Sequence, residues 1–324
     1  MNLEIRVIEH DEELPQLLTG NFFHSRDLFR IMAATPGHRP MMAVAVDGDG
    51  NVVAHLLACI RRRGSWLPPY LFTQGRIYGE GCYAEGVNRE VVFGQLLKAV
   101  TRKFRRSLCL YAEFSNMSQK MFGYKYFREN GYFPVSWQEV HNSLHSMHPK
   151  KRLSEEQIDQ IESLRKAGVA TRRITEEDEI EKVYVHFRNY NRMKPFRFMP
   201  PLRFFTALNE VAPARIYVTE YRGKTIGACL SIHTNDNAWM WYLASKRKSH
   251  LSKHPDLLTI WHAIEEANAE KCQHFYFMDA GLPLRKSSYR DFILSFGGKP
   301  VAKYRWFRVS IVWLNKVLSW IYRE

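Results

Sequence analysis

The feature that most constrains the fold is an internal repeat in the 324-residue chain. Several landmarks recur 166 residues later in the sequence: Glu113 as Asp279, Gly131 as Gly297, and Pro134-Val135 as Pro300-Val301. A constant offset with the same order of predicted elements is typical of a duplicated supersecondary unit. The chain is therefore expected to fold as two similar α/β halves.

Each half shows the same series of predicted elements: helices, a hairpin, a strand, a helix, a strand, a helix and a strand. The hairpin turns are centred on Gly50 and Gly223, between alternating apolar strands. The predicted helix Arg89–Arg106 has an apolar stripe at helical spacing, and so has the predicted helix at residues 256–271 in the second half. We predict an N-terminal domain at 1–145, a helical connector at 146–170, a C-terminal domain at 171–310 and an amphipathic helix at 311–324.

The charge balance restricts the kinds of partner. Lys and Arg number 47 against 33 Asp and Glu, which gives a net charge of +14. Such an excess favours polyanionic partners such as RNA, nucleotides, phosphorylated carriers or an anionic membrane surface, although it is also found on solvated basic surfaces.

Other sequence features argue against secretion and against metal chemistry. The first residues are acidic and lack the apolar core of a signal peptide, and no apolar run approaches the ~18–20 residues that span a bilayer. The five cysteines show no close pairing, and the 13 histidines show no metal-ligand spacing. We expect a cytoplasmic protein with free thiols, no transmembrane segment and no metal site.

Residues 273–301 are the segment most suggestive of a site. An aromatic strand breaks at Asp279-Ala280-Gly281, a basic turn follows at 284–288, and the segment closes on Gly297-Gly298. A strand end, an acidic residue, a basic turn and a glycine pair are a plausible floor for a cleft.

The loops before the two long helices differ in charge. Residues 245–254 are rich in Lys, Arg and His and precede Pro255, a residue favoured at the first position of a helix. The equivalent residues 85–88 in the first half carry almost no positive charge. Because the start of a helix attracts anions, the basic loop is a candidate phosphate site, or else a solvated run of charge. The asymmetry indicates one active half and one structural half.

The second half also resembles a known family. The motifs that carry the resemblance follow one another in this order: Ala214-Arg215-Ile216-Tyr217-Val218, Tyr221-Arg222-Gly223-Lys224, Ile226-Gly227-Ala228, Trp239-Met240-Trp241-Tyr242-Leu243-Ala244-Ser245, Pro255, and Tyr276-Phe277-Met278-Asp279-Ala280-Gly281. They are similar to the second domain of the Fem-type (FemABX) aminoacyltransferases. Those proteins have two tandem acetyltransferase-like (GNAT) domains and form peptidoglycan bridges in bacteria.

The resemblance implies transfer of an acyl group to an amine by two tandem GNAT-like domains. The donor would be aminoacyl-tRNA, or acyl-CoA as in the wider superfamily, with no permanently bound cofactor. The acceptor would be a small-molecule or lipid-linked amine such as a peptidoglycan precursor. This chemistry places the protein in the cytoplasm, with the inner face of the membrane as a second location.

In this fold the reacting carbonyl is expected to lie against backbone N–H groups of a splayed strand, here residues 241–245. Asp279 is the candidate to orient or deprotonate the amine, and Tyr242 to protonate the leaving group. The alternatives are a turn cap for Asp279 and plain aromatic packing for Tyr242. The predicted substrate-binding residues are mostly basic: Arg197, Ser245, Lys246, Arg247, Arg285, Lys286, Tyr289 and Arg290.

The chain departs from the family at two points. Ile293 stands where the family has a lysine at the reaction site, and there is no room for the long helical hairpin of the tRNA-dependent members. Two further functions therefore stay open: an acyl-CoA-dependent N-acetyltransferase, and a non-catalytic module that binds RNA or anionic lipid.

The C-terminal segment has apolar residues on one side of a predicted helix: Ile311, Leu314, Leu318 and Ile321, with Trp313, Val317 and Trp320 beside them. Such a helix either packs on its own domain or lies on a membrane surface. Packing on the domain is favoured, because Lys316 and Arg323 are the only charged residues between 311 and 323.

Overall fold

The structure is a computed structural model that describes residues 3–64, 70–174, 176–192, 198–281 and 286–322. The strands in these ranges are β1 Glu4–Ile8, β2 His38–Val46, β3 Val52–Gly64, β4 Leu71–Tyr78, β5 Cys82–Tyr83, β6 Tyr111–Ser115, β7 Phe133–Ser143, β8 Val169–Arg173, β9 Ala214–Tyr221, β10 Lys224–Thr234, β11 Asn237–Ser245, β12 His274–Phe277 and β13 Lys299–Val309. The α-helices are α1 Arg26–Ala33, α2 Arg89–Arg106, α3 Tyr124–Glu129, α4 Glu155–Lys166, α5 Glu177–Asn191, α6 Leu202–Asn209, α7 Pro255–Ala269, α8 Ser288–Leu294 and α9 Val312–Ile321.

These elements form two compact units. Unit 1 contains the described residues up to Trp137 and those from Ala302 onward, and unit 2 contains 138–301. The sheet of unit 1 has the strand order β1-β2-β3-β4-β6-β13, with β5 beside β3, and that of unit 2 has the order β7-β12-β11-β10-β9-β8. In both sheets a parallel pair, β4 with β6 and β11 with β12, stands within an otherwise antiparallel series of the described strands, and β13 or β7 then follows antiparallel.

The two repeats exchange their final strands. Strand β7 and strand β13 correspond residue for residue at the offset of 166, from Phe133 and Lys299 to Ser143 and Val309. Nevertheless β13 pairs with β6 in unit 1, and residues 140–143 of β7 pair with β12 in unit 2. The sequence-based boundaries after 145 and 310 follow the repeat, whereas the units follow packing, so 138–145 and 302–310 lie in the unit of the other repeat.

Each unit has its own apolar core beneath its long helix. In unit 1, α2 buries Phe93, Leu97 and Phe104 against the sheet, and α2 begins and ends at the predicted residues. In unit 2, α7 buries Ile260 and Trp261 in the same way. These cores hold the long helices against their sheets. We therefore expect a cleft to form between the two parallel strands of a unit.

The helix predicted in the connector is α4. Ser154 caps it by accepting a hydrogen bond from the backbone N–H of Gln157, whose side chain reaches back to Ser154. Its apolar residues Ile161 and Leu164 are buried in the core of unit 2. The residues Ser154-Glu155-Glu156-Gln157 thus form a capping box at the start of α4.

Candidate active site

The parallel strands of unit 2 separate part-way along their length. Strand β11 pairs with β12 from Asn237 to Met240, opposite His274 to Phe277. It then continues to Ser245 without a paired strand on that side among the described residues. A bulge lies at the same point, because Leu230 and Ser231 of β10 are opposite Tyr242 and Met240, which leaves Trp241 as an extra residue. The sheet therefore opens beside residues 241–245, the segment predicted to splay.

A small cavity lies in this opening. Its lining residues come from α5, β11, the segment after β12, and α8: Tyr190, Asn191, Met240, Trp241, Tyr242, Leu243, Asp279 and Tyr289. Three of them, Tyr242, Asp279 and Tyr289, are predicted site residues. Tyr190 belongs to the apolar stripe of the α5 helix, and the sequence gives it no signal beyond that of a core residue.

Asp279 follows β12 by two residues and is half-buried. One carboxylate oxygen accepts a hydrogen bond from the backbone N–H of Gly281 at 3.1 Å, and Gly281 has a positive φ of 81°. A side chain at Gly281 would be strained in this conformation. Asp279 thus stabilises the turn after β12 and also lines the cavity, and its role with the amine stays a prediction.

Tyr242 is buried among aromatic side chains of α5, α6 and β11. Its ring centroid lies 5.3 Å from that of Phe205, 5.7 Å from that of Trp241 and 6.1 Å from that of Phe187. Packing of this kind holds the tyrosine in one orientation at the cavity wall.

Two buried side-chain atoms near the end of β11 have no hydrogen-bond partner within the described ranges. They are the hydroxyl oxygen of Ser245 and Nε2 of His186, a residue of α5. Burial, and then the charge of Lys246, lower the pKa of His186 to about 4, so its imidazole is neutral at physiological pH. A buried polar atom without a partner is costly and is often retained for function. His186 is not identified from the sequence, where it is one of many histidines without a motif.

The predicted basic residues are not brought together at one point. Lys246 is exposed and donates from Nζ to the carbonyl of Thr225 at 2.9 Å. Lys286 is exposed, and Arg290 is buried in the first turn of α8. Arg197 and Arg285 lie outside the described residues. The described ones follow the end of β11 or lie in and just before α8, and both elements also contribute residues to the cavity wall.

The N-terminus of α7 already has an anionic neighbour. Pro255 is its first residue and offers no N–H, and Asp256 accepts from the N–H of Leu257 at 3.2 Å. The other oxygen of Asp256 pairs with Arg247 at 3.1 Å. Beside this end, an open recess is lined by Tyr221 and residues 249–254, which include His250, Lys253 and His254. A carboxylate of the protein thus stands at the helix end, and the anion site predicted for this loop stays a prediction.

Ile293 is fully buried in the apolar core of unit 2. It does not line the cavity described above. At this position the chain has a core side chain, and the cavity is formed without it.

The comparisons with known proteins agree with this geometry. Residues 157–302 match the family model described as an acetyltransferase (GNAT) domain. No curated protein matches the chain.

The solved structures with a similar fold include three that cover nearly all of the chain. FemX has 9% identity and a TM-score of 0.63, covering 93% of this chain and 95% of its own. The C-terminal domain of a putative lysylphosphatidylglycerol synthetase from Agrobacterium fabrum has 11% identity, a TM-score of 0.59 and coverage of 94% and 92%. A tandem GNAT protein from the clavulanic acid biosynthesis pathway has 13% identity, a TM-score of 0.55 and coverage of 94% and 98%. These likenesses confirm the predicted fold of two tandem GNAT-like domains.

Proposed function

We propose that the protein is an acyltransferase that uses the GNAT-type domain matched at residues 157–302 to transfer an aminoacyl group to an amine in the cavity of unit 2. The observation that carries this proposal is the end of strand pairing at Met240 and Phe277, beside a cavity that contains Tyr242 and Asp279. An opening at a strand edge places backbone amides next to two side chains that can move protons.

The reaction assigned to these groups is attack of a neutral amine on an ester or thioester carbonyl. The developing oxyanion accepts hydrogen bonds from backbone N–H groups of residues 241–245. Asp279 takes the proton that the amine loses as the C–N bond forms. Tyr242 gives a proton to the departing alkoxide or thiolate as the C–O or C–S bond breaks, and the product is an amide.

Aminoacyl-tRNA is the donor that the charges favour. A coenzyme A donor would bring its diphosphate to the start of α7, where the carboxylate of Asp256 is placed. A tRNA acceptor end requires only a basic surface, which the loop 246–254 and the net charge of +14 supply. The resemblance to the Fem-type enzymes supports an amine of a cell-wall precursor as the acceptor.

The donor is tested by supplying the full chain with a pool of aminoacylated tRNA or with acyl-CoAs, together with peptidoglycan precursors and simple amines. Mass spectrometry of the acceptor identifies the amide formed. We expect product from aminoacyl-tRNA and little or none from acyl-CoA. Product from acyl-CoA alone would show an N-acetyltransferase instead, and no product from any donor would contradict acyl transfer.

A second candidate function is binding without catalysis. The apolar Ile293, in place of the family lysine, favours it together with the net charge of +14. Salt-dependent binding of tRNA without any amide product would support this candidate. Binding with turnover would exclude it.

A further inference from the structure

The last helix of the chain exposes its more apolar side. Trp313 and Trp320, two turns apart, are 67% and 71% exposed. They belong to a face, called here the α9 face, that consists of Val312, Trp313, Lys316, Val317, Trp320 and Ile321, all exposed. A helix of a globular protein normally has the opposite arrangement, with its apolar stripe against the core.

The other side of α9 holds it to unit 1 by polar contacts. Asn315 donates to the carbonyl of Gly131 at 3.0 Å and accepts from the N–H of Val309 at 2.8 Å. Arg128 donates to the hydroxyl of Ser319 at 3.2 Å, and Tyr322 stacks on Phe133. No residue of α9 is buried. The helix is thus fixed in an orientation that presents the tryptophans to the outside.

Basic residues lie next to the start of α9. Ser310 donates from its N–H to the carbonyl of Leu110 at 2.8 Å and from its hydroxyl to the carbonyl of Cys109. This contact joins the start of α9 to the end of α2, where Arg105, Arg106 and Leu108 are exposed. Leu108 is 85% exposed, the largest exposed fraction among the apolar side chains of the described residues. Residues 310–322 contain no Asp or Glu, so the apolar and basic groups are not offset by acidic ones.

We propose that the α9 face, together with Arg105, Arg106 and Leu108, binds the surface of an anionic lipid bilayer. Tryptophan prefers the boundary between headgroups and hydrocarbon, and Lys316 can extend its ammonium to the phosphates. Arg105 and Arg106 add electrostatic attraction to anionic lipid. Within the described ranges no helix is long and apolar enough to cross a membrane, so the contact is peripheral.

A second copy of the chain is a poorer occupant of this face. A helix of 10 residues is only about 15 Å long. One face of such a helix falls well short of the ~800 Å² per partner that a stable interface buries. A bilayer needs no minimum area of this kind, because a few inserted aromatic side chains and several cations together give reversible binding. The inference is independent of the proposed acyl transfer.

The test is flotation of the full chain with vesicles of phosphatidylcholine alone and of phosphatidylcholine with one quarter phosphatidylglycerol. We expect binding to the anionic vesicles, and at least a tenfold loss of binding in the double variant Trp313→Ala/Trp320→Ala. The variant Met147→Ala is the matched control, since Met147 is also an exposed apolar residue but lies in unit 2. It should bind as the unmodified protein does.

A second variant separates charge from insertion. Arg105→Glu/Arg106→Glu should lower binding to anionic vesicles by about tenfold, and brominated lipid should quench tryptophan fluorescence in the unmodified protein but much less in the tryptophan variant. Equal binding to both vesicle types, or binding to neither, would overturn the proposal. A dimer in light scattering that dissociates in the tryptophan variant, without vesicle binding, would assign the face to a second copy instead.

Discussion

Each unit has one described pair of parallel strands, and the two pairs are hydrogen-bonded over different parts of their length. In unit 2, β11 and β12 pair up to Met240 and Phe277 and then separate. In unit 1, the equivalent residues at the offset of 166, Gln74 and Tyr111, are where pairing begins, and it continues to Tyr78 and Ser115. The segment that is closed in unit 1 is therefore the segment that is open in unit 2.

The side chains at the two matched positions explain the difference. Arg76 and Glu113 are direct strand partners in unit 1 and form a buried ion pair, supported by hydrogen bonds from Arg76 to Ser115 and from Gln74 to Glu113. Burial alone would raise the pKa of Glu113, but Arg76 and other nearby arginines lower it overall, so the carboxyl is charged. In unit 2 the same two positions are held by Tyr242 and Asp279.

This comparison shows how one repeat can carry a site while the other supports the structure. An arginine opposite a glutamate joins two strands, because a buried charge needs its partner close by. A tyrosine opposite an aspartate has no such requirement, and both side chains line a cavity. The proton-transferring pair of the proposed mechanism thus occupies the positions of a structural ion pair.

The largest expected effect comes from removing the proposed base. Asp279→Asn keeps an acceptor for the N–H of Gly281 but cannot take a proton, so kcat should fall by roughly 10²–10⁴. Steady-state kinetics with the donor that gives product in the acyl-transfer assay measure it. The matched control is Glu113→Gln, at the equivalent position of unit 1, which should lower stability and leave kcat of the folded enzyme near its original value. Equal losses of kcat in both variants would contradict the division of roles.

The next effect concerns the closed strands of unit 1. Arg76→Met removes the main partner of the buried Glu113, and the free energy of unfolding should fall by about 3–5 kcal/mol. Denaturant unfolding measures this loss. Arg62→Met is the control, because Arg62 is an exposed arginine on β3 and not a member of the buried ion pair. The double variant Arg76→Met/Glu113→Leu should recover much of the loss. If it recovers none, the ion pair is not what joins β4 to β6.

A smaller effect is expected from pH. Burial lowers the pKa of His55, and likewise of His38, to about 4, and that of His24 to about 3. Because each binds its proton less readily when folded, its contribution to stability is complete above pH 6.5 and is lost as pH falls towards 4. These three histidines lie in unit 1. In unit 2, burial also lowers the pKa of His186 to about 4.

His55→Gln tests this prediction, since glutamine can keep a hydrogen bond to the carbonyl of His24. Between pH 7.5 and pH 5 the variant should lose about 2 kcal/mol less stability than the unmodified protein. Chemical denaturation at both pH values measures it, and the exposed His10→Gln serves as control. The same acid loss in all three proteins would rule out His55 as a cause.

The smallest effect concerns the starts of the two long helices. Asp256→Asn removes the carboxylate at the α7 end, and coenzyme A should then bind about two- to fivefold more tightly, as expected for one charge at a helix terminus. Titration calorimetry measures the affinity. Glu90→Gln in α2 is the control at the equivalent position and should change nothing. Unchanged binding after Asp256→Asn would show that this carboxylate does not determine the choice of donor.

Much of the fold can be read from local patterns. The hairpins at Gly50 and Gly223 follow from turn chemistry, and α2 follows from its apolar spacing and the cap at Asn88. Part of the candidate site is also predictable from the sequence, because the repeat and the family motifs both point to Tyr242 and Asp279. Tyr190 and His186 are not, since a half-buried tyrosine or a buried histidine on a helix has no pattern that distinguishes a cavity wall from a core.

The sequence by itself determined that the chain is a duplicated α/β protein. The spacing of apolar residues and the constant offset between matching residues can both be read directly from the order of the residues. Only the tertiary structure decided that β7 and β13 change places, and that β4 closes on β6 while β11 parts from β12. Strand pairing joins residues as far apart as Tyr111 and Val309. Which distant edge a strand joins, and in which register, depends on the packing of the whole unit and not on any spacing in the sequence.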